Sequence, residues 1–135
     1  MKQPNKKFNC VLIIDDDPLT SLLHKLIVED ADCANEIVVR ESAEAGLTYL
    51  VMSSGPDELV FPDLIFLDLD MPVMDGWAFL EDFKILKASF PTIPQIIMVT
   101  AIIDPRVVIQ ASKYPELTGF CNKPMTLEMI LPLVN

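Results

Sequence analysis

At 135 residues and 51% hydrophobic content, the chain is long enough for one compact domain, residues 1–135, with a single buried core. Ten basic residues against twenty acidic ones leave a formal charge of −10, which excludes nucleic acid and anionic lipid as direct ligands because their phosphates are repelled before contact forms. The polar start and the strand-length apolar run behind it, broken by three acids, match neither a signal peptide nor a membrane span, so the chain is expected in the cytoplasm. Cys10, Cys33 and Cys121 are odd in number, far apart and without a Cys-x-x-Cys pair, as free thiols in a reducing compartment are.

The first strand, about Asn9 to Ile14, ends in Asp15-Asp16-Asp17, and Pro18 suits the first turn of a helix with Asp16 or Asp17 as its cap. In that helix Leu19, Leu22, Leu23, Leu26 and Ile27 recur at i, i+3, i+4, i+7 and i+8, which predicts one buried face and puts His24 and Lys25 on the wet side. A second strand spans about Glu36 to Arg40, and Ser42 caps a second helix with Ala43, Leu47, Leu50 and Val51 inside. Met52 to Phe61 reads as a surface loop. The apolar run Leu64 to Leu67 is a third strand that ends abruptly in Asp68; Pro72, Asp75 and Gly76 then break it and open a helix capped by Asp75, with Phe79, Leu80, Phe83 and Leu86 inward. Met71 to Met74 and Trp77 are expected to pack around the intervening loop. Pro91 and Pro94 precede a fourth strand, Gln95 to Thr100. Asp104-Pro105 starts a helix running to about Lys113. The last strand is Thr118 to Asn122, and Thr126 starts a final helix that Pro132 is expected to cut short.

Short β-branched runs alternating with amphipathic stretches predict an α/β fold, a parallel sheet flanked by helices. The carboxyl ends of such strands share one rim, where ligands gather. On it stand Asp15, Asp16, Asp68, Thr100 and Lys123. Carboxylates converging there repel one another unless a cation neutralises them, and a hard divalent ion, magnesium (Mg2+) first, is the natural solution. A deprotonated Asp68 is then a competent nucleophile for phosphoryl transfer, with Lys123 neutralising the phosphoryl oxygens and the Thr100 hydroxyl donating to them.

These residues resemble the motifs of response-regulator receiver domains of two-component signalling, over nearly the whole chain. Leu12-Ile13-Ile14-Asp15-Asp16-Asp17-Pro18 resembles the family's first strand and acidic pair. Leu67-Asp68-Leu69-Asp70-Met71-Pro72-Val73-Met74-Asp75-Gly76 resembles its phosphoacceptor motif, Val99-Thr100-Ala101 its switch threonine, and Phe120-Cys121-Asn122-Lys123-Pro124 its aromatic-to-lysine motif. The resemblance implies a flavodoxin-like, doubly wound five-stranded parallel sheet of order 2-1-3-4-5 flanked by five helices. It implies Asp68 as the phosphorylated residue, Asp15, Asp16, Asp68 and the Asp70 backbone carbonyl as metal ligands, Phe120 as a rotameric switch beside Thr100, and a cis Lys123-Pro124 peptide. Asp70 and Ile102, two residues past Asp68 and Thr100, are expected to flank the approach of water to the phosphoryl group and so to slow its loss.

The implied partners are a sensor histidine kinase or histidine phosphotransfer protein, chosen by surface residues such as Leu19, Thr20 and Leu23, and a downstream protein target. Arg106, Gln110, Tyr114 and Glu128 are candidates for the responding surface on the fourth helix, fifth strand and fifth helix, which is also a possible homodimer face. On this reading the chain is a switch that catalyses only its own phosphorylation and dephosphorylation. The competing enzyme class is a haloacid-dehalogenase-like phosphatase, since Asp68-Leu69-Asp70 also spells Asp-x-Asp after a strand; that family resemblance is partial, because it expects a threonine or valine where Pro72 stands and a longer chain with a cap.

Overall fold

A computed structural model describes residues 6–56 and 58–134. Among them the elements run β1 (Phe8–Ile14), α1 (Pro18–Ala31), β2 (Ala34–Arg40), α2 (Ala43–Ser53), β3 (Leu64–Asp68), α3 (Gly76–Leu86), β4 (Gln95–Thr100), α4 (Pro105–Ala111), β5 (Leu117–Asn122) and α5 (Leu127–Val134). The strands form one parallel sheet of order β2-β1-β3-β4-β5, the doubly wound arrangement that the motifs imply.

Strand period 2 divides the core into two layers. Leu12, Ile14, Ile65, Leu67, Ile96 and Met98 face α2 and α3, where Leu47, Leu50, Phe79, Leu80 and Phe83 cover them. Val11, Ile13, Leu64, Phe66, Ile97 and Val99 face α1 and α5, against Val28, Met125 and Ile130. Because β1, β3 and β4 are covered on both sides, Cys10–Ile14, Leu64–Leu67 and Ile96–Val99 are unbroken apolar runs, and the polar residue that ends each, Asp15, Asp68 or Thr100, falls at the rim. Four helix starts are fixed by side chains that accept an orphan backbone N–H: Asp17 from Leu19, Ser42 from Ala45, Asp75 from Ala78 and Asp104 from Arg106 and Val107. At Gly76 a Cβ would lie 3.0 Å from the Leu69 Cα and 3.1 Å from the Asp68 carbonyl oxygen. Glycine thus lets α3 begin against the end of β3.

Helix α1 is turned away from its expected orientation. Leu19 is 77% exposed, Leu22, Leu23 and Leu26 are exposed too, and the buried side carries Ser21, His24 and Val28. His24 is not solvated at all, with 1% of its surface exposed. The reason is polar: this side of the helix meets the Asp15 carbonyl, which accepts from the Ser21 hydroxyl at 3.2 Å, and the Met125 N–H, which donates to His24 Nε2 at 3.0 Å. Four leucines cannot satisfy those groups, and serine and histidine do. Lys25 and Ile27 lie half-buried at the margins.

Smaller departures have equally local causes. Val51 is exposed at the edge of the α2 stripe, and Val73 is 98% exposed with φ 69°, so the loop after β3 packs through Met71 and Trp77 but not through Val73. Helix α5 continues through Pro132 to Val134. One lost backbone bond, about 3 kcal/mol, is offset by the seating of Ile130, Leu133 and Val134 on the core. Tyr114 is buried, stacked on Trp77 at 5.6 Å with its hydroxyl donating to Glu81 Oε2 at 2.6 Å, so it ties the turn after α4 to α3 and does not belong to the surface.

Candidate functional site

Strand register assembles the rim. Ile14 pairs with Leu67, which brings Asp15 beside Asp68; Asp68 pairs with Val99, which places Thr100 one residue further along β4; and Thr100 pairs with Asn122, the residue before Lys123. Backbone bonds then pin the strand ends. Lys123 N–H donates to the Thr100 carbonyl at 2.9 Å, Leu69 N–H to the Val99 carbonyl at 3.0 Å and Asp15 N–H to the Arg40 carbonyl at 3.1 Å. The Asp15 carboxylate is oriented by the Asp17 N–H, which donates to its Oδ1 at 2.9 Å.

Asp15, Asp68 and Thr100 are buried, whereas Asp16 is open to water. One carboxylate oxygen from each of Asp15, Asp16 and Asp68 lies within 4.8 Å of the other two. The Lys123 ammonium sits 3.0 Å from Asp15 Oδ2 and 3.2 Å from Asp68 Oδ2. Burial, and then the Asp15 charge, push the Asp68 carboxyl up to about 6, against the opposing pull of Lys123 and of the Asp70 N–H. For Lys123 burial works against the charge, yet its contacts with Asp15 and Asp68 outweigh it and hold its pKa above the ordinary lysine value.

Asp68 Oδ2 is buried with an ammonium at ion-pair distance but no hydrogen-bond donor aligned on it. A buried carboxylate oxygen left with an ion pair but no aligned donor, beside two further acids, one of them facing solvent, fits a hard divalent cation that keeps part of its hydration shell. Asp17 lies outside this set: it is exposed and serves α1 as its cap.

Asp70 touches both sides of the site. Its N–H donates to Asp68 Oδ1 at 3.2 Å, and its Oδ2 lies 3.3 Å from the Thr100 Oγ1, which donates. The second contact has no signal in the sequence, since a loop rotamer decides it. Phe120 of β5 pairs with Met98 of β4, two residues before Asn122, the partner of Thr100, so the Phe120 and Thr100 side chains share a sheet face; Phe120 is half-buried against the α2–α3 layer. Ile102 is 68% exposed, and its carbonyl lies 3.4 Å from the Thr100 hydroxyl. His24 is a site neighbour that periodicity missed. It anchors the backbone two residues beyond Lys123, and burial, with Lys123 acting in the same sense and Asp15 against it, lowers its pKa. With Nε2 accepting, the neutral ring carries its proton on Nδ1.

Residues 11–135 match the model of the response regulator receiver domain. The chain belongs to this family. A two-component response regulator of Arabidopsis thaliana is 29% identical to the receiver over 130 residues, 96% of this chain and 84% of that one. The glycerol metabolism activator of Pseudomonas putida is 34% identical over 84% of this chain but 46% of its own length, so the receiver spans about half of that relative. A two-component response regulator from Cytophaga hutchinsonii has the same fold, with a TM-score of 0.84 over 95% of each chain at 24% identity. The receiver is thus a phosphorelay signalling domain, and neither the family match nor these relatives favour a haloacid-dehalogenase-like phosphatase.

Proposed function

We propose that Asp68 is the phosphoacceptor of this receiver. The observation that carries the reading is its buried, partly orphaned carboxylate, flanked by the Lys123 ammonium and two further acids. An Asp68 oxygen attacks the phosphorus of a phosphohistidine, the bond from phosphorus to imidazole nitrogen breaks, and the imidazole leaves with the electron pair. Lys123, 3.2 Å from Asp68 Oδ2, and the Thr100 hydroxyl on the same rim would contact the oxygens of the transferred group. Asp15, Asp16, Asp68 and the Asp70 carbonyl would hold Mg2+, which when bound neutralises phosphoryl charge that the acids would otherwise repel.

The switch follows from the same contacts. Thr100 turns toward the phosphoryl oxygen, Phe120 fills the space it leaves, and the face formed by α4, β5 and α5 shifts between two existing states. That face, through Arg106, Gln110 and Glu128, meets a downstream protein or a second copy. The phosphodonor, a sensor histidine kinase or histidine phosphotransfer protein, docks on the exposed Leu19, Leu22, Leu23 and Leu26 stripe beside the rim, a surface suited to a partner helix. On this reading residues 1–135 act as a single cytoplasmic receiver that catalyses only its own phosphorylation and dephosphorylation. No described helix is long and apolar enough to cross a membrane.

Incubation with a phosphorylated histidine phosphotransfer protein and Mg2+ tests the class of activity. The expected result is one phosphoryl group per chain and no sustained hydrolysis of p-nitrophenyl phosphate. Multiple turnover of that ester, without a stable phosphoprotein, would instead make the domain a phosphatase.

A further inference from the structure

The Thr100 hydroxyl has one proton to give, and the acceptors within reach are Asp70 Oδ2 at 3.3 Å and the Ile102 carbonyl at 3.4 Å. Neither belongs to Asp68, the residue toward which that proton must turn when a phosphoryl group arrives. The Asp70 contact is the stronger of the two, because a carboxylate accepts about twice as well as a neutral carbonyl. Asp70 is also tied to Asp68 through its own N–H, at 3.2 Å to Oδ1. One residue therefore grips the acceptor with its backbone and the switch hydroxyl with its side chain.

We propose that Asp70 is an intramolecular competitor of the phosphoryl group, a latch that holds Thr100 in the resting position. Its carboxylate offers Thr100 what a phosphoryl oxygen offers, an anionic acceptor, and so makes the resting state the favoured partner of the hydroxyl until the phosphoryl group outbids it. Thr100 is buried while Asp70 is exposed. Release therefore returns the Asp70 carboxylate to water at little cost, and the hydroxyl always has an acceptor. The latch stabilises one state and not the other, which is the condition for a contact to shift a two-state equilibrium. The inference rests on Asp68 as the phosphoryl site, and it assigns Asp70 a positioning role that acts through Thr100.

Removing a negative charge from the rim helps any anion bind, so the test must separate the latch from plain repulsion. Binding of beryllium fluoride with Mg2+ is measured by calorimetry for the parent, Asp70→Ala, Thr100→Val and the double variant. Asp70→Ala is expected to tighten binding about tenfold in the Thr100 protein, and no more than about twofold in the Thr100→Val background, where no hydroxyl is left to release. Asp70→Asn, which keeps an acceptor but loses the charge, is expected to lie between parent and Asp70→Ala. Equal tightening in both backgrounds would reduce Asp70 to a repulsive charge, and no tightening in either would remove the latch altogether. A parent that binds no beryllium fluoride would overturn the phosphoacceptor assignment itself, and the latch with it.

Discussion

An ionised Asp68 opposes folding. Its carboxyl titrates at about 6 in the folded chain, first through burial and then through Asp15, whereas in the unfolded chain it titrates near the ordinary value of about 3.9. The stability that protonated Asp68 contributes is therefore complete below about pH 4 and is lost as pH rises to about 6 and beyond. In metal-free buffer at about pH 7, Asp68→Asn is expected to be more stable than the parent by about 1–3 kcal/mol, with the gap closing near pH 4. Denaturant melts across that range decide it; a gap of the same size at the acid end would place the gain elsewhere than in the carboxylate charge. A bound cation acts with the opposite sign, because it favours the ionised form. Mg2+ uptake at about pH 6 should release protons, seen as a binding enthalpy that changes with the ionisation enthalpy of the buffer. Uptake with no such dependence would mean that the ion does not sit on Asp68.

Helix α1 faces two ways, and each face carries an expected outcome. His24→Leu leaves the Met125 N–H without its acceptor and should lower stability by about 1–3 kcal/mol, whereas the exposed Leu23→Glu should leave stability within about 0.5 kcal/mol of the parent. Leu23→Glu should nevertheless slow transfer from the protein phosphodonor by about tenfold while leaving acetyl phosphate labelling unchanged; equal slowing with both donors would contradict a docking role. The sequence could not tell these faces apart. Apolar spacing of 3.6 residues is the same whether the stripe meets the core or a partner, and nothing in it reveals that buried polar groups await Ser21 and His24. Strand and cap positions were legible because their causes are local: Asp17, Ser42, Asp75 and Asp104 each cap the helix they precede. Pro132 misled for the reverse reason, since packing of α5 on the core overrides a local preference.

Across the whole molecule, the parallel sheet explains why the rim was readable at all. Once β1, β3, β4 and β5 run the same way, the residues at or just past their carboxyl ends share one rim, so Asp15, Asp68, Thr100 and Lys123 are expected together, and the Lys123 ion pairs close the set. The Asp70 grip on Thr100 was hidden because it depends on a loop conformation that register does not set. A charge of −10 adds a constraint on partners. A phosphodonor that presents basic groups around its histidine should associate faster at low salt, with the rate falling as ionic strength rises. The central claim, that Asp68 receives the phosphoryl group, is tested most directly by labelling with acetyl phosphate and Mg2+, trapping the acyl phosphate by borohydride reduction and locating the reduced residue by mass spectrometry. One group per chain is expected, mapped to Asp68 and absent from Asp68→Asn; labelling of Asp68→Asn as full as that of the parent would contradict the assignment.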